Sequence, residues 1–167
     1  MLAKLYILLF GCALLATPAI DLPEVRTAYR SAVESEALTK TLFDNLTAVG
    51  KNDDPVLVAY KGAVGTMMAA YADGLNTKKQ LFKDGRELLE YAVATEPDNV
   101  EIRCIRLSVQ ENVPKITGYR KNQKEDKAFI LQHYASMKDA DAQAFVKGFA
   151  GQSDSFSASE RQSLSLR

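Results

Sequence analysis

Hydrophobic residues recur every three or four positions through most of the chain, which is the spacing of one face of an α-helix. Val25, Tyr29, Val33 and Leu42 begin this pattern in a first predicted helix over 23–49, and a glycine follows it in the position of a helix C-cap. No segment shows the sustained alternation of apolar and polar residues between turn dipeptides that is typical of strands. The sequence therefore predicts an all-α protein.

Short polar motifs mark where the other predicted helices begin. Asp54 and Pro55 supply an N-cap and a first-turn proline for a second helix, which ends near Gly74. The third, fourth and fifth helices begin at motifs that resemble capping boxes: TKKQ at 77–80, DNVE at 98–101 and NQKE at 122–125. A short sixth helix is predicted over about 139–149. We expect about six helices, arranged as three antiparallel hairpins.

The second predicted helix is apolar on most of its sides, so it is expected to lie in the middle of the fold. Gly62 and Gly65 give this helix a small-residue surface on which another helix can approach closely. Met67, Met68 and Tyr71 offer an alternative use of the same helix, as the lining of a pocket for a small apolar ligand between the second and third helices. Core packing is the more common role of such residues at helical spacing.

The first 19 residues, MLAKLYILLFGCALLATPA, have the layout of a secretory signal peptide. One positive charge at Lys4 precedes an apolar run from Leu5 to Ala16, and small residues follow as far as Ala19. This run is shorter than the roughly 20 residues that span a bilayer, which favours a cleaved signal over a retained anchor. The motif LFGC, which ends at Cys12, also resembles the lipobox of bacterial lipoproteins, and acylation there would attach the chain to a membrane. We therefore predict an exported protein of the periplasm or cell envelope.

Cleavage after residue 19 of the 167 would leave 148 residues, which is the size of one ordinary domain. We expect a single helical domain over residues 20–150. The tail at 151–167 has neither helical periodicity nor much apolar content, and this composition is typical of disorder.

The charge balance and the cysteine content exclude two classes of protein. The whole chain has 21 basic and 21 acidic residues, and removing Lys4 leaves 20 basic ones. A surface that binds nucleic acid needs a basic excess, so no nucleic-acid partner is expected. Removing Cys12 leaves Cys104 alone, which cannot form an internal disulfide, so the apolar core must hold the exported domain together.

Residues 85–98 resemble the second helix and exit of a tetratricopeptide repeat. In that family a small residue, a large apolar residue, an alanine and a proline recur at fixed spacing, and Gly85, Leu89, Ala92 and Pro97 occupy those places here. The letters EPDN at 96–99 match the family's usual turn between repeats. The resemblance implies paired helices that approach closely, and a proline that sends the chain into the next hairpin.

The resemblance extends over 55–113, but Pro55 and Pro97 are 42 residues apart instead of the 34 of a regular repeat. It therefore implies a degenerate bundle of hairpins and not a regular array. The stretches AYKGAVGTMMA, LLEYAVATEPDNVEIRCIRLSVQENVP and GYRKNQKEDKAFILQHY also resemble small, uncharacterised exported proteins of bacteria. That second resemblance implies an exported helical protein and supplies no activity.

The residues that usually carry catalysis are sparse. One histidine, His133, and Cys104 cannot supply the ligands of a zinc site, and DADAQ at 139–143 lacks the glycine and the final carboxylate of a calcium loop. There is no nucleophile elbow and no glycine-rich phosphate loop, so we predict no enzyme, no catalytic residue, no metal and no cofactor. A carboxylate-based enzyme using a pair such as Glu87 and Glu90 is the alternative, although a solvated helix face is the usual role of such a pair.

A polar face on the fourth predicted helix is the candidate site for a protein or peptide partner. Arg103, Arg106 and Gln110 share this face, and Tyr119 and Arg120 follow it in the next connection. Arginine and tyrosine commonly anchor peptide partners, and the first helix of a repeat hairpin lines the binding groove. The alternative is that the two helical arginines pair with carboxylates and only position the last hairpin. The sequence thus predicts a non-enzymatic interaction or scaffold module with an unnamed partner.

Overall fold

A computed structural model describes residues 20–165 of the chain. The described part is helical and contains no strand, which confirms the all-α prediction. Its helices are α1 (Leu22–Ala32), α2 (Glu36–Asn45), α3 (Pro55–Tyr71), α4 (Leu75–Thr95), α5 (Val100–Asn112), α6 (Gln123–His133), α7 (Ala140–Gln152) and α8 (Ala158–Ser165). Short 3-10 turns lie at Lys115–Thr117 and Tyr134–Ser136. The predicted count of six is therefore too low, since this range holds eight α-helices.

The first predicted helix is two helices, α1 and α2. The break is stabilised by polar contacts: Thr39 Oγ1 donates to the carbonyl of Ala32 at 2.7 Å, and the Ser35 side chain accepts from the backbone N–H of Leu38. Val33, which the pattern places in the core, is 57% exposed at this corner. The hydrophobic spacing continues from α1 into α2, so the sequence pattern does not reveal the break between the two helices.

The close packing of α3 on α4 is explained by glycine. A Cβ atom on Gly85 of α4 would lie 2.5 Å from the carbonyl oxygen of Gly62 on α3, and 2.8 Å from the backbone nitrogen of Thr66. Gly65 also faces Gly85: a Cβ atom on Gly65 would lie 3.3 Å from the Cα atom of Gly85. The predicted small-residue surface of α3 is therefore the contact with α4.

The predicted capping box at 77–80 is wrong. Helix α4 begins at Leu75, after Gly74, and it has no side-chain N-cap. Gly74 has φ of 79°, a left-handed conformation that favours glycine, so a backbone turn starts the helix here.

The centre of the core is an aromatic cluster from three helices. Tyr29 of α1, Tyr60 of α3 and Phe145 of α7 contact one another with ring centroids 5.2 to 6.2 Å apart. Helix α5 crosses beside them and is the most enclosed element, with ten of its 13 residues buried. Both α3 and α5 therefore line the middle of the fold, although only α3 is continuously apolar in sequence.

The structure differs from the predicted disordered tail in the part that it describes, up to residue 165. After Gln152 the chain turns and forms α8, and the side chains of Phe156 and Leu164 are 2% and 1% exposed. Lys127 of α6 pairs with Glu160 of α8 at 3.0 Å. Phe156 and Leu164 thus attach α8 to the core, although the average composition of this segment is typical of disorder.

The N-terminal predictions lie outside the described residues. These are the signal peptide at 1–19 and the lipobox cysteine, Cys12. Between residues 20 and 165, no helix combines the length and the apolar character needed to cross a membrane.

Candidate functional site

The structure brings the five predicted partner residues into one region but uses most of them internally. Arg106 is 4% exposed, and its Nε and Nη2 donate to the two carboxylate oxygens of Asp126 at 2.7 and 2.6 Å. Its third nitrogen, Nη1, donates to Glu90 at 3.1 Å. All three nitrogens of this guanidinium therefore have partners inside the protein.

Arg103 and Tyr119 extend the same network. Arg103 Nη1 donates to Glu125 at 2.8 Å and to Asp126 at 3.1 Å. The Tyr119 hydroxyl donates to Glu90, and burial followed by that hydrogen bond raises the pKa of this tyrosine well above its usual range. Asp126, which no sequence motif singles out, is the centre of the network and is fully buried.

Arg120 and Gln110 complete the predicted set. Arg120 donates to the backbone carbonyls of Glu111 at 2.9 Å and Val113 at 2.8 Å, so it closes the end of α5. The side chain of Gln110 is fully buried, and neither of its amide atoms has a hydrogen-bond partner within residues 20–165. Arg103 and Arg106 connect α5 to α6, and Arg120 connects the following segment to the end of α5. The pairing of Arg103 and Arg106 with carboxylates is the alternative role that the sequence left open for these two arginines.

A cavity of about 370 Å³ lies elsewhere, where the starts of α1, α3, α5 and α7 meet. We call it the helix-start cavity. Its lining comprises Leu22, Arg26, Asp54, Val56, Glu96, Asp98, Asn99, Val100, Glu101, Ser136, Met137, Lys138, Asp139 and Ala142. Three of these side chains cap helices: Asp54, Asn99 and Asp139 accept backbone N–H groups at the starts of α3, α5 and α7. The cap at Asp54 is evident from the sequence, whereas the convergence of the helix starts depends on tertiary contacts.

A buried ion pair forms the floor of the helix-start cavity. Arg26 donates through Nε and Nη2 to both oxygens of Glu101, at 2.7 and 2.8 Å, and the two side chains are 5% and 3% exposed. Nη2 also donates to Asp139 at 2.8 Å, and the Tyr60 hydroxyl donates to Glu101 at 2.8 Å. Helices α1, α3, α5 and α7 are thereby connected by one polar network.

The remaining carboxylates of the helix-start cavity have no cationic partner. Asp98 is exposed and makes no hydrogen bond or ion pair with any described residue, while Glu96 accepts only from the side-chain amide of Asn99, at 2.7 Å. Asp54 uses one oxygen to cap α3. Five carboxylates and two basic side chains line the cavity, which gives it a formal charge of −3.

Cys104 and His133 lie apart from the helix-start cavity. Cys104 is fully buried among core residues, and burial raises the pKa of its thiol well above the usual value, which leaves it a neutral packing group. His133 stacks on Phe129 with ring centroids 4.3 Å apart. No cluster of three or more potential metal ligands was found among the described residues.

The alternative apolar pocket between the second and third predicted helices would lie between α3 and α4. Met67 and Met68 are half-buried and Tyr71 is 38% exposed, and the middle of that interface is closed by the contact of Gly62 with Gly85. Neither the helix-start cavity nor the shallow apolar groove at the start of α1 involves those three residues.

No family model matches the chain, and no curated protein or solved structure matches it at a significant level. The function therefore has to be inferred from the residues of the chain itself.

Proposed function

We propose that this chain is a non-enzymatic protein–protein interaction module of the bacterial cell envelope, and that its partner docks at the helix-start cavity. The observation that carries the proposal is this cavity: an open, polar concavity between four helices, where three of the five lining carboxylates have no cationic partner within residues 20–165. Concave sites with a few convergent polar groups are where ligands usually bind. The Arg103 and Arg106 face is a weaker candidate, because its groups are already paired with Asp126 and Glu90.

Two sequence features support the wider setting of the proposal. The tetratricopeptide-like spacing of Gly85, Leu89, Ala92 and Pro97 is typical of proteins that act by binding other proteins. The signal-like segment at 1–19 supports export to the periplasm or envelope, with a lipid anchor at Cys12 as the alternative. Mass spectrometry of the mature N-terminus distinguishes a free Ile20 from an acylated Cys12.

Site-specific crosslinking tests where the partner docks. A photoreactive side chain replaces Ser136 at the rim of the helix-start cavity, and the control carries it at Asp73, an exposed position beyond the opposite end of α3. Helix α3 has 17 residues, so the two sites are separated by about 25 Å along its axis. We expect a discrete crosslinked species in the envelope from the Ser136 position only. Equal labelling from both positions, or none from either, would remove the proposed docking site.

A further inference from the structure

We propose that the helix-start cavity recognises a basic peptide segment: a lysine or arginine side chain enters the cavity while a backbone carbonyl of the same segment is bound by Arg26. This inference rests on the proposed function and names the chemistry of the partner. Two independent features carry it, the charge of the rim and one unused donor on the floor.

The rim attracts cations. Asp54, Glu96 and Asp98 have no cationic partner in residues 20–165, and the two basic residues of the lining do not balance the five acidic ones. The starts of α1, α3, α5 and α7 each contribute a positive helix-dipole end of roughly half a charge, which offsets about two charges of the formal −3. The sum stays negative, so an anionic ligand is disfavoured and a cationic one favoured.

The floor of the helix-start cavity contains one hydrogen-bond donor without a partner among the described residues. Arg26 is 4% exposed, and two of its nitrogens are bound to Glu101 and Asp139. Its third nitrogen, Nη1, has no hydrogen-bond partner in the described part of the chain, yet it is not among the atoms sealed from solvent. Because Arg26 lines the helix-start cavity, we infer that Nη1 faces this cavity. A free N–H donor gains from an acceptor oxygen, and a bare ammonium ion does not supply one.

Together, the two features select a ligand that has a cation and a nearby neutral acceptor. A basic residue within a peptide has both, since its own backbone carbonyls lie a few ångströms from the side-chain charge. The open cavity of about 370 Å³ has room for one long side chain and a short stretch of main chain. A carboxylate ligand would satisfy Nη1 but would face the acidic rim.

Labelled peptides test this inference by fluorescence polarisation. The probes are capped pentapeptides in a glycine–serine background, whose central residue is lysine, norleucine or glutamate, together with butylammonium as an unlabelled competitor. Norleucine keeps the length of the lysine side chain and removes the charge. We expect the lysine peptide to bind at least about tenfold more tightly than the norleucine peptide, a ratio equivalent to about 1.4 kcal/mol. We also expect its affinity to fall with added salt.

Variants of the chain locate the binding. The double substitution Glu96→Gln with Asp98→Asn removes two charges from the rim, and neither side chain is fully buried, so the fold is preserved. We expect it to weaken binding of the lysine peptide about tenfold, because both removed charges would attract the lysine ammonium group. Asp73→Asn is the matched control, with the same chemical change on an exposed residue away from the cavity, and it should leave the affinity unchanged.

Each other outcome is informative. Equal binding of the lysine and norleucine peptides, or tighter binding of the glutamate peptide, overturns the inference and leaves docking at the helix-start cavity intact. Butylammonium that competes as strongly as the lysine peptide shows that the cation alone is recognised, which overturns the role of Arg26. If no peptide binds but Ser136 still crosslinks to a partner, the chemistry is wrong; if both experiments fail, the proposed function fails as well.

Discussion

Arg106 on α5 and Asp126 on α6 form a bidentate ion pair inside the protein, with hydrogen bonds of 2.7 and 2.6 Å. Asp126 is fully buried and Arg106 is 4% exposed. Taking both charges out of water costs several kcal/mol, which the short bidentate contact offsets only while both partners are present. The pair therefore fixes how α6 sits on α5 and makes each partner dependent on the other.

Removing one partner of this buried pair should lower the free energy of unfolding far more than removing one partner of an exposed pair. We expect Asp126→Ala to lower the free energy of unfolding by about 3–5 kcal/mol, because it leaves the buried charge of Arg106 uncompensated. The control is Asp44→Ala, which breaks the contact with Lys40 between side chains that are 59% and 65% exposed, and should change stability by less than about 1 kcal/mol. Urea unfolding followed by circular dichroism measures both. Similar losses for the two variants would contradict the internal role of the pair.

Several local features were predicted correctly, because they depend on residues three or four positions apart. The helical spacing around Tyr29, the N-cap at Asp54 and the small surface at Gly62 are all of this kind, and each is present in the structure. A break in direction such as the one at Val33 leaves the spacing almost unchanged, and this is why α1 and α2 were merged.

The polar networks could not be predicted, because their members are distant in sequence. Arg26 and Glu101 are 75 residues apart, and Arg106 and Asp126 are 20 apart. Charged residues at helical spacing usually face solvent, so the sequence predicts that the arginine face of α5 is exposed. Only the tertiary structure shows that this face packs against Asp126 and that Arg106 is buried there.

The contact of Gly85 with Gly62 should tolerate no side chain. In Gly85→Ala the new Cβ atom would meet the Gly62 carbonyl oxygen at 2.5 Å, and both contacting groups are helix backbone that cannot rotate away. We expect a loss of about 1–3 kcal/mol from overpacking, in spite of the better helix propensity of alanine. Gly151→Ala in α7 is the control: its Cβ atom meets nothing within 4 Å, so it should be neutral or stabilising by up to about 1 kcal/mol. A stabilising effect at both sites in thermal unfolding would contradict the close helix contact.

The C-terminal helix should contribute to stability if it is docked as the structure shows. Leu164 is 1% exposed, and we expect Leu164→Ala to lower the free energy of unfolding by about 2–5 kcal/mol or to release α8 entirely. Leu38→Ala is the matched control, because that leucine is 47% exposed. Limited proteolysis gives a second readout: cleavage between α7 and α8 should be slow in the unchanged protein and fast in Leu164→Ala. Rapid cleavage there in both would instead support the disordered tail expected from composition.

Stability should decline at alkaline pH because two core tyrosines must be neutral in the fold. Burial raises the pKa of Tyr29 to about 12, and burial together with the charge of Glu101 raises that of Tyr60 well above its usual value. In the unfolded chain these hydroxyls ionise near pH 10, so the stability they support is complete below about pH 10 and is lost as the pH rises toward the raised values. Each such tyrosine should steepen the decline by about 1.4 kcal/mol per pH unit.

Tyr29→Phe tests this assignment, with the exposed Tyr71→Phe as its control. The phenylalanine variant loses the hydrogen bond to Ser108, so it should be less stable by about 1 kcal/mol at neutral pH. Between about pH 10 and 12 its unfolding free energy should nevertheless fall more slowly than that of the unchanged protein, because one proton fewer is released on unfolding. Tyr71→Phe should leave that slope unchanged. Parallel slopes for Tyr29→Phe and the unchanged protein would mean that the Tyr29 hydroxyl ionises as readily in the fold as outside it, and this would contradict its burial in the core.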